Sequence, residues 1–367
     1  MKITIVAGAR PNFMKIAPII RAIEVEKQNR LDISYRLVHT GQHYDYKMSG
    51  SFFDELGIPA PDANLEVGSG SQSEQTAGIM IGFEAELTAH PPHLVLVVGD
   101  VTSTMACTIT AKKMNIKVAH VEAGIRSGDM TMPEEVNRLL TDSIADYFFT
   151  TTLQAGENLK SCGAKLENIF FVGNTMVDTL IYNLTRLKKP LFWEREDLLA
   201  NPYLVLTLHR PVNVDDPYTV YSILNTIKMN TKGLKVIFPV HPRTAIKIKQ
   251  IKIDLGNIIV VEPMSYLEFI YLVKESKGVI TDSGGITEET TVLGIPCLTL
   301  RDSTERPETI TIGTNELIGT STNNIGTYLQ KLIDGKWKKG AIPELWDGHT
   351  SERIVHKLSQ LLILQDK

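Results

Sequence analysis

Short apolar segments alternate with longer amphipathic segments along most of the chain, and this alternation limits the possible folds more than any other feature of the sequence. Short apolar runs rich in Val, Ile and Phe predict buried strands, and the amphipathic segments between them predict helices. Strands that are connected by helices form parallel sheets with helices on both faces. The sequence therefore predicts an α/β protein.

The alternation occurs twice, which predicts two Rossmann-like, doubly wound domains that face a central cleft. The first series predicts strands at 2–7, 33–39, 94–98, 117–121, 147–151 and 168–172, and helices at 14–28, 73–88, 103–115, 134–145 and 153–162. The second series predicts strands at 203–208, 235–239, 257–261, 277–281 and 296–300, and helices at 217–230, 243–250, 265–274, 284–293 and 322–333.

A change of pattern near residues 175–200 separates the two series. A helical segment at 177–187 is followed there by a charged stretch and by an Asn-Pro step that precedes a new strand. We therefore predict an N-terminal domain at 1–175, a C-terminal domain at 200–345, and a last helix within 346–367 that packs back on the N-terminal domain.

The composition of the 367 residues is that of a soluble globular protein and excludes several classes of partner. The net charge of −4 leaves no basic excess that would bind a nucleic acid or an anionic membrane surface. No apolar run reaches the roughly 20 residues of a membrane span, and the first residues do not have the pattern of a signal peptide. Three widely spaced cysteines fit a reducing compartment, so we expect a cytoplasmic protein.

Several cofactor motifs are absent from the sequence. No GxGxxG follows the first strand, no GxxxxGK[ST] is present, and no HExxH or CxxC predicts a metal site. We therefore expect a redox-neutral reaction that uses no nicotinamide or flavin cofactor and no metal.

Polar residues that follow predicted strands are the candidates for function, because ligands of open α/β sheets bind beyond the carboxyl ends of the strands. Arg10 and Lys15, near the start of the first helix, suit an anion, although solvated surface charge would also explain them. Asp100 follows the strand at 94–98 and is either an acid/base carboxyl or a helix cap. Glu122 follows an apolar strand, so burial is expected to favour acid/base use.

The sequence places further candidates in both series. Glu134 and Glu135 follow Pro133 and suit a helix start, an explanation that fits Glu135 better than Glu134. His209 leaves the first strand of the second series. Ser283, Gly284 and Gly285 begin a helix whose free N–H groups suit a diphosphate; Glu289 lies further along that helix, and Arg306 supplies a cation.

Taken together, these motifs resemble the non-hydrolysing UDP-N-acetylglucosamine 2-epimerases. The resemblance rests on Arg10-Pro11 with Lys15, Gly99-Asp100, His120-Val121-Glu122-Ala123-Gly124, Pro133-Glu134-Glu135 with Asn137-Arg138, Thr281-Asp282-Ser283-Gly284-Gly285 and Thr304-Glu305-Arg306-Pro307-Glu308. It implies the two-domain architecture of B-type glycosyltransferases, UDP bound chiefly by the C-terminal domain, a homodimer, and cytoplasmic supply of UDP-N-acetylmannosamine for polysaccharides.

The resemblance also implies roles for individual residues. It assigns acid/base or leaving-group roles to Asp100, Glu122, Glu134 and His209. It assigns UDP contacts to Arg10, Ser283, Gly284, Gly285, Glu289 and Arg306, and a contact with the phosphates or the sugar to Lys15. Gln42 and His43 match a segment at which many bacterial members bind a second, activating UDP-sugar.

The chain departs from the family pattern at three places. Asn12 and Val212 stand where many members carry Glu, and the segment 68–71 lacks a basic residue that other members have near the second site. A sister group that acts on a UDP-2,3-diacetamido-uronate has a similar start and a similar segment at 41–45. That 2-epimerase activity, and a UDP-sugar glycosyltransferase of the same architecture, are therefore the alternatives to an epimerase of UDP-N-acetylglucosamine.

The 2-epimerase reaction that the resemblance implies explains why the candidate site contains carboxyls, cations and a helix N-terminus. C2 of the sugar is not next to a carbonyl, so its proton is scarcely acidic, and loss of UDP from C1 together with that proton gives a glycal. Re-addition of UDP with a proton on the other face inverts C2. Cations and helix N–H groups stabilise the departing diphosphate, and at least two carboxyls handle protons. We assign the proton transfers to Asp100 and Glu122, with Glu134 on the other face or near ring charge, and the leaving phosphate to His209.

Overall fold

Two parallel sheets organise the chain in the computed structural model, which describes residues 1–41, 53, 55–240, 245, 246, 248 and 253–363. The chain divides into two compact units. The first comprises Met1–Tyr182 together with Glu344–Lys367, and the second comprises Asn183–Pro343. The last helix of the chain therefore belongs to the first unit.

The sheet of the first unit has seven described strands in the order β3-β2-β1-β4-β5-β6-β7, and every pairing is parallel. These strands are β1 (Lys2–Ala7), β2 (Ser34–His39), β3 (Ala63–Asn64), β4 (Leu94–Val98), β5 (Lys117–Val121), β6 (Tyr147–Thr150) and β7 (Ile169–Phe171). All five residues of the central strand β4 are buried, as expected for a strand with helices on both faces.

Helices of the first unit connect these strands. They are α1 (Arg10–Gln28), α2 (Gln72–Ala89), α3 (Thr102–Lys113), α4 (Pro133–Ile144), α5 (Leu153–Ser161), α6 (Thr175–Asn183) and α13 (Thr350–Ile363). The described residues on one side of the sheet form an apolar core that includes Val6, Val97, Phe83 and Cys107. Asp178 of α6 accepts hydrogen bonds from the backbone N–H groups of Thr350 and Ser351, which fixes the start of α13.

The sheet of the second unit has six described strands in the order β10-β9-β8-β11-β12-β13, again all parallel. They are β8 (Tyr203–Thr207), β9 (Lys235–Pro239), β10 (Ile258–Val261), β11 (Val279–Thr281), β12 (Cys297–Thr299) and β13 (Asn315–Leu317). The described helices are α7 (Pro211–Val214), α8 (Pro217–Asn230), α9 (Tyr266–Lys274), α10 (Gly284–Leu293), α11 (Pro307–Thr311) and α12 (Thr322–Ile333). The α/β class with two doubly wound, Rossmann-like sheets is confirmed.

The predicted elements differ from the observed ones mainly at their ends. Helix α1 begins at Arg10 and not at residue 14, because Asn12 accepts hydrogen bonds from the N–H groups of Gly8 and Ala9 and so fixes the first turn. The predicted helix at 177–187 ends at Asn183 and continues as the 3₁₀ turn Leu184–Arg186. Most of the predicted helix at 243–250 lies outside the described residues. In the part of the chain that the structure describes, no helix has the length and apolar composition that crossing a bilayer requires.

Candidate active site

The loop after β4 presents Asp100 to a buried arginine. The Asp100 Oδ2 atom lies 2.6 Å from Arg138 Nη2 and 3.0 Å from Arg138 Nε, so the guanidinium binds this carboxylate through two nitrogens. The N-cap of α3 is Val101, and its side chain makes no capping bond, so Asp100 does not serve as the helix cap that the sequence also allowed. About a quarter of the Asp100 side chain (27%) remains exposed and is accessible to a ligand.

Glu122 follows β5 and forms a buried ion pair. Its Oε2 atom lies 2.7 Å from Lys15 Nζ, and the side chains of Glu122 and Lys15 are only 3% and 10% exposed. Glu122 has a φ of +67°, in the left-handed region that side chains other than glycine rarely adopt. The partner of Glu122 is therefore a lysine of α1, whereas Arg126, four residues further along the chain, binds Asp142. Lys15, read from the sequence as an anion-binding residue, is thus placed beside a carboxylate.

Glu134 and Glu135 lie in the first turn of α4 but have different surroundings. Glu135 is buried and accepts hydrogen bonds from the N–H groups of Ser127 and Gly128 and from Arg138. Burial raises the pKa of Glu135, but these hydrogen bonds outweigh burial, and the net pKa is below its usual value. Glu134 is half-buried. The structure therefore gives Glu135 an architectural role and leaves Glu134 available for a ligand.

Arg138 connects two of these carboxylates. It donates to Asp100 from one side of its guanidinium and to Glu135 from the other, each at 2.6 Å, while only 4% of its side chain is exposed. Arg10, in the first turn of α1, is exposed. Within the first unit, the ends of β4 and β5 and the starts of α1 and α4 therefore carry Asp100, Glu122, Glu134, Arg10 and Lys15.

His209, at the end of β8, is oriented by the buried Asp282. Asp282 Oδ1 lies 2.7 Å from His209 Nδ1, and the carboxylate also accepts hydrogen bonds from the N–H groups of His209 and Arg210 and from Asn213 Nδ2. Burial raises the pKa of Asp282, but the bonds to His209 and these other donors outweigh it, so the pKa lies below its usual value. The His209 side chain is 61% exposed. Its Nε2 atom is therefore the ring nitrogen that remains for a ligand.

Helix α10 begins at the Ser283-Gly284-Gly285 segment. Ser283 is the N-cap residue, and its side chain makes no capping bond, which leaves the hydroxyl available. A Cβ atom on Gly284 would lie 2.9 Å from Glu305 Oε1, so glycine allows this close packing. The segment is half-buried at a helix N-terminus, where backbone N–H groups and the helix dipole favour an anion.

Acidic and basic side chains alternate beside α10. Arg306 Nε lies 2.5 Å from Glu288 Oε1, and Arg301 Nη2 lies 2.5 Å from Glu305 Oε2. Burial raises the pKa of Glu305, but hydrogen bonds and charge from Arg301, together with the charge of Arg306, lower it to about 2. The two cations of this cluster are thus both in ion pairs.

Glu289 differs from these neighbours. It is buried, and it lies beside Tyr266 and Glu288. Burial and, to a smaller extent, the Glu288 charge raise the pKa of Glu289 to about 8, although the hydrogen bond with Tyr266 acts in the opposite direction. Glu289 therefore holds a proton at neutral pH, so its carboxyl can donate one hydrogen bond as well as accept others.

Sequence reasoning missed several residues of these clusters. It quoted Arg138 and Asp282 within motifs without a role, and it assigned nothing to Asp142. The spacing of Glu135 and Arg138, one helical turn apart, signals one ion pair, but the bond from Arg138 to Asp100 spans 38 residues and has no local signal. Gln42 and His43, the predicted second site, lie outside the described residues.

Comparison with known proteins identifies the family. The family model described as UDP-N-acetylglucosamine 2-epimerase matches residues 24–359. A UDP-N-acetylglucosamine 2-epimerase of Methanocaldococcus jannaschii is 39% identical, over 98% of this chain and 99% of that one. A UDP-2,3-diacetamido-2,3-dideoxy-D-glucuronate 2-epimerase of Pseudomonas aeruginosa is also 39% identical, over 98% of this chain and all of its own length (100%).

A solved structure agrees with these sequence relatives. The crystal structure of the Methanocaldococcus jannaschii UDP-GlcNAc 2-epimerase in complex with UDP-GlcNAc and UDP has a TM-score of 0.85 to this chain at 39% identity, covering 98% of this chain and 100% of that one. The chain belongs to the UDP-N-acetylglucosamine 2-epimerase family and is an enzyme. The resemblance inferred from the motifs is thereby confirmed.

Proposed function

We propose that the enzyme interconverts UDP-N-acetylglucosamine and UDP-N-acetylmannosamine by elimination and re-addition of UDP. The observation that carries this proposal is the pair of carboxylates, Asp100 and Glu122, at the ends of the adjacent strands β4 and β5, each held by a cation. Two oriented carboxyls are what inversion at C2 needs, because a proton leaves one face and returns to the other.

The bond changes of the reaction balance without an added cofactor. In the forward direction the C2–H and C1–O bonds break, a C1=C2 double bond forms, and UDP leaves with the electron pair of the C1–O bond. In the return direction the diphosphate oxygen adds to C1 while a proton adds to the opposite face of C2. No oxidant or reductant takes part, which agrees with the absence of a dinucleotide fingerprint in the sequence.

Residue roles follow from the surroundings of each side chain. Asp100 and Glu122 exchange protons with C2, and Glu134 serves the other face or developing positive charge in the sugar ring. Lys15 keeps Glu122 oriented and, with Arg10, adds positive charge near the substrate. We assign these roles to the first unit.

The second unit supplies the groups that suit UDP. The N–H groups of Gly284 and Gly285 and the hydroxyl of Ser283 bind the diphosphate, as expected at a helix N-terminus. His209, oriented by Asp282, binds or protonates the leaving phosphate. Glu289 binds the ribose hydroxyls, and Arg306 adds charge beside the diphosphate.

Proton NMR of UDP-N-acetylglucosamine in deuterated water tests the proposal. We expect UDP-N-acetylmannosamine to appear without added nicotinamide or metal, with deuterium at C2 of the product. Protium retained at C2 would reject elimination and re-addition. A glycosyltransferase would give no epimer from this single substrate, and a hydrolysing relative would release UDP and free N-acetylmannosamine.

A second candidate substrate is a UDP-2,3-diacetamido-uronate. It is favoured by the Pseudomonas aeruginosa relative, which is as similar to this chain (39%) as the Methanocaldococcus jannaschii enzyme. Comparison of kcat/KM for the two UDP-sugars at equal enzyme concentration decides between them. The preferred substrate is the one with the larger kcat/KM, and an enzyme that epimerises only the uronate would reject the first substrate assignment.

We further propose that the enzyme is a cytoplasmic homodimer that supplies an activated sugar for polysaccharide synthesis. The proposal is supported by the family resemblance. Light scattering coupled to size-exclusion chromatography tests the oligomer, and the expected mass is twice the 40.8 kDa of the chain. A single-chain mass at working enzyme concentration would contradict it.

A further inference from the structure

Three consecutive backbone carbonyls, at the last residue of β4 and in the loop that follows it, each accept a hydrogen bond from a side chain of another element. This loop carries Asp100, so its position sets where the Asp100 carboxylate lies. The bonds run from Asn12 Nδ2 to Val98 O at 2.9 Å, from His120 Nε2 to Gly99 O at 2.8 Å, and from Asn137 Nδ2 to Asp100 O at 2.8 Å. Of these three donors, His120 also contacts a buried carboxylate, that of Asp142.

His120 is fully buried on β5 and lies between two acceptors. Its Nδ1 atom is 2.7 Å from Asp142 Oδ1, and its Nε2 atom is 2.8 Å from Gly99 O. A backbone carbonyl cannot donate, and a carboxylate cannot donate either, so each ring nitrogen has to carry a proton to make its bond. The geometry is therefore that of an imidazolium.

Asp142, on α4, has the surroundings of a carboxylate rather than of a protonated acid. Its Oδ2 atom accepts hydrogen bonds from Gly124 N at 3.0 Å and from Arg126 Nη1 at 2.6 Å. Burial raises the pKa of Asp142, but the charges and hydrogen bonds of His120 and Arg126 outweigh it, so the pKa lies below its usual value. The charged and titratable groups around the ring are thus Asp142 and, beyond it, Arg126.

The His120–Asp142 pair joins two loops. On one side the ring binds Gly99, the residue before Asp100, and on the other Asp142 binds the N–H of Gly124, two residues after Glu122. Gly124 packs closely against α5, because a Cβ atom there would lie 2.1 Å from Ala155 O, and its φ of +79° also requires glycine. The pair therefore connects the loop after β5 with the loop after β4 through hydrogen bonds.

We propose that His120 is a positioning residue, a buried imidazolium that links the loop carrying Asp100 to the loop carrying Glu122 and so sets the spacing of the two carboxylates. It acts through Gly99 and does not touch the substrate. The inference rests on the proposed function for its effect on rate, whereas the protonation and the link themselves do not depend on which reaction the enzyme catalyses.

Two substitutions separate the two bonds of the ring. The Nε2 atom of glutamine reaches about as far as the Nε2 atom of histidine, so His120→Gln keeps a donor for Gly99 O. The Nδ2 atom of asparagine replaces Nδ1, so His120→Asn keeps a donor for Asp142 and loses the bond to Gly99. Because misplacement of a catalytic group by about 1 Å costs on the order of 10²-fold in rate, we expect kcat of His120→Asn to fall about 10²-fold. For His120→Gln we expect a loss within about tenfold.

The readouts distinguish positioning from loss of stability. Phe83→Leu is the control variant, because Phe83 is a fully buried core residue of α2 in the same unit and its substitution lowers the melting temperature. We expect Phe83→Leu to keep kcat at temperatures well below its melting point, and both His120 variants to keep UDP affinity. Equal kcat values for His120→Asn and His120→Gln, at temperatures where both are folded, would overturn the proposal.

Nitrogen-15 NMR of the histidine rings in the wild-type enzyme tests the link without any substrate. We expect two slowly exchanging ring N–H protons from His120, both absent in His120→Gln, and a larger shift of the Asp100 amide signal in His120→Asn than in His120→Gln. A single ring N–H would overturn the imidazolium. If the wild-type enzyme epimerises neither UDP-sugar while both ring protons are present, the proposed function fails and the link stands.

Discussion

The acidic side chains of the first unit and the acidic side chain at the centre of α10 in the second unit are held in opposite ways. Asp100 and Glu122 each lie within 2.7 Å of an arginine or lysine nitrogen. Glu289 is also buried, but its neighbours are Tyr266 and another carboxylate, Glu288, and its pKa is raised to about 8. Glu122 and Glu289 are both buried, but the first is in an ion pair and the second is a protonated acid.

The difference shows that the partner, and not burial alone, determines what a carboxyl can do. An ion pair orients a carboxylate but removes two charges from water, a cost that only good geometry offsets. A buried carboxyl that has no such compensation keeps its proton, and it can then donate one hydrogen bond as well as accept others. The first arrangement suits proton transfer at a fixed position, and the second suits recognition of a sugar hydroxyl.

Substitution of Glu122 tests the first arrangement most directly. Glu122→Gln keeps the size of the side chain and a hydrogen-bonding oxygen but removes the proton-transferring group. Positioned acid/base groups contribute about 10²–10⁴-fold in rate, so we expect turnover to fall at least about 10²-fold, with parallel loss of deuterium wash-in at C2. UDP affinity should stay nearly unchanged. A variant that melts early but turns over near the wild-type rate would assign Glu122 to the scaffold and the proton transfer to Asp100 or Glu134.

Removal of the Lys15 ammonium group should lower the stability of the fold as well as disturb the site. Lys15→Met leaves the Glu122 carboxylate buried beside an apolar side chain, and loss of one partner of a buried ion pair costs about 3–5 kcal/mol. The double variant with Glu122→Gln should recover part of that free energy of unfolding, as measured by urea titration.

Lys27→Met is the matched control for Lys15→Met. Lys27 lies on the same helix and pairs with Glu24 at 2.9 Å, but the two side chains are 41% and 44% exposed. Exposed pairs of this kind contribute about 0.3–0.5 kcal/mol. Equal losses for Lys15→Met and Lys27→Met would contradict the assignment of Lys15 to a buried pair.

In the second unit, Ser283 tests whether the start of α10 binds the diphosphate. Loss of a hydrogen bond to a charged group costs roughly 1.5–3 kcal/mol, so Ser283→Ala should weaken UDP binding about tenfold or more in calorimetric titrations. Ser321→Ala is the control, because Ser321 is also an N-cap serine of this unit whose side chain makes no capping bond. An unchanged UDP affinity in Ser283→Ala would move the diphosphate site elsewhere.

The raised pKa of Glu289 predicts an unusual dependence of stability on pH. An acid whose pKa is about 8 in the folded protein and 4.5 in the unfolded chain binds more protons in the folded state between these pH values. Stability therefore falls as the pH rises from about 4.5 to about 8, which is opposite to the usual effect of an ion-paired carboxylate.

Glu289→Gln removes this dependence. Between pH 5 and pH 8 its stability relative to the wild type should rise by about 1 kcal/mol or more, since one unit of pKa shift corresponds to about 1.4 kcal/mol. Glu275→Gln, at an exposed glutamate of the same unit, serves as the control. A constant difference between Glu289→Gln and wild type across that range would contradict a protonated Glu289.

The sequence predicts the sheets and helices of both units because burial on two faces makes strands continuously apolar, and helices amphipathic, over many residues. The three-residue strand β13, which lies at the end of the strand order beside β12, has no such pattern and is not predicted. The sequence also places Asp100, Glu122 and Glu134 in loops or first turns at the right end of the sheet, since topology alone determines that end.

The partners in the ion pairs of Asp100 and Glu122 could not be predicted from the sequence. Glu122 pairs with Lys15 across 107 residues, and Asp100 with Arg138 across 38, so the choice of partner depends on how helices pack against the sheet. Proximity in the chain would point to Arg126 as the partner of Glu122, but Arg126 binds Asp142. The raised pKa of Glu289 likewise results mainly from burial, and the hydrogen bond that opposes this rise comes from Tyr266 of a different helix.

The last helix, α13, has a consequence for the order in which the chain folds during synthesis. The second unit is one uninterrupted stretch, Asn183–Pro343, whereas the first unit includes residues that follow it. During synthesis, the second unit therefore has all of its residues before the first unit does. Asp178 can bind the N–H groups of Thr350 and Ser351 only after those residues have been translated. The same holds for the bond from the indole of Trp346 to Thr151 O. The first unit, whose translation begins first, is therefore the last of the two to contain all of its residues.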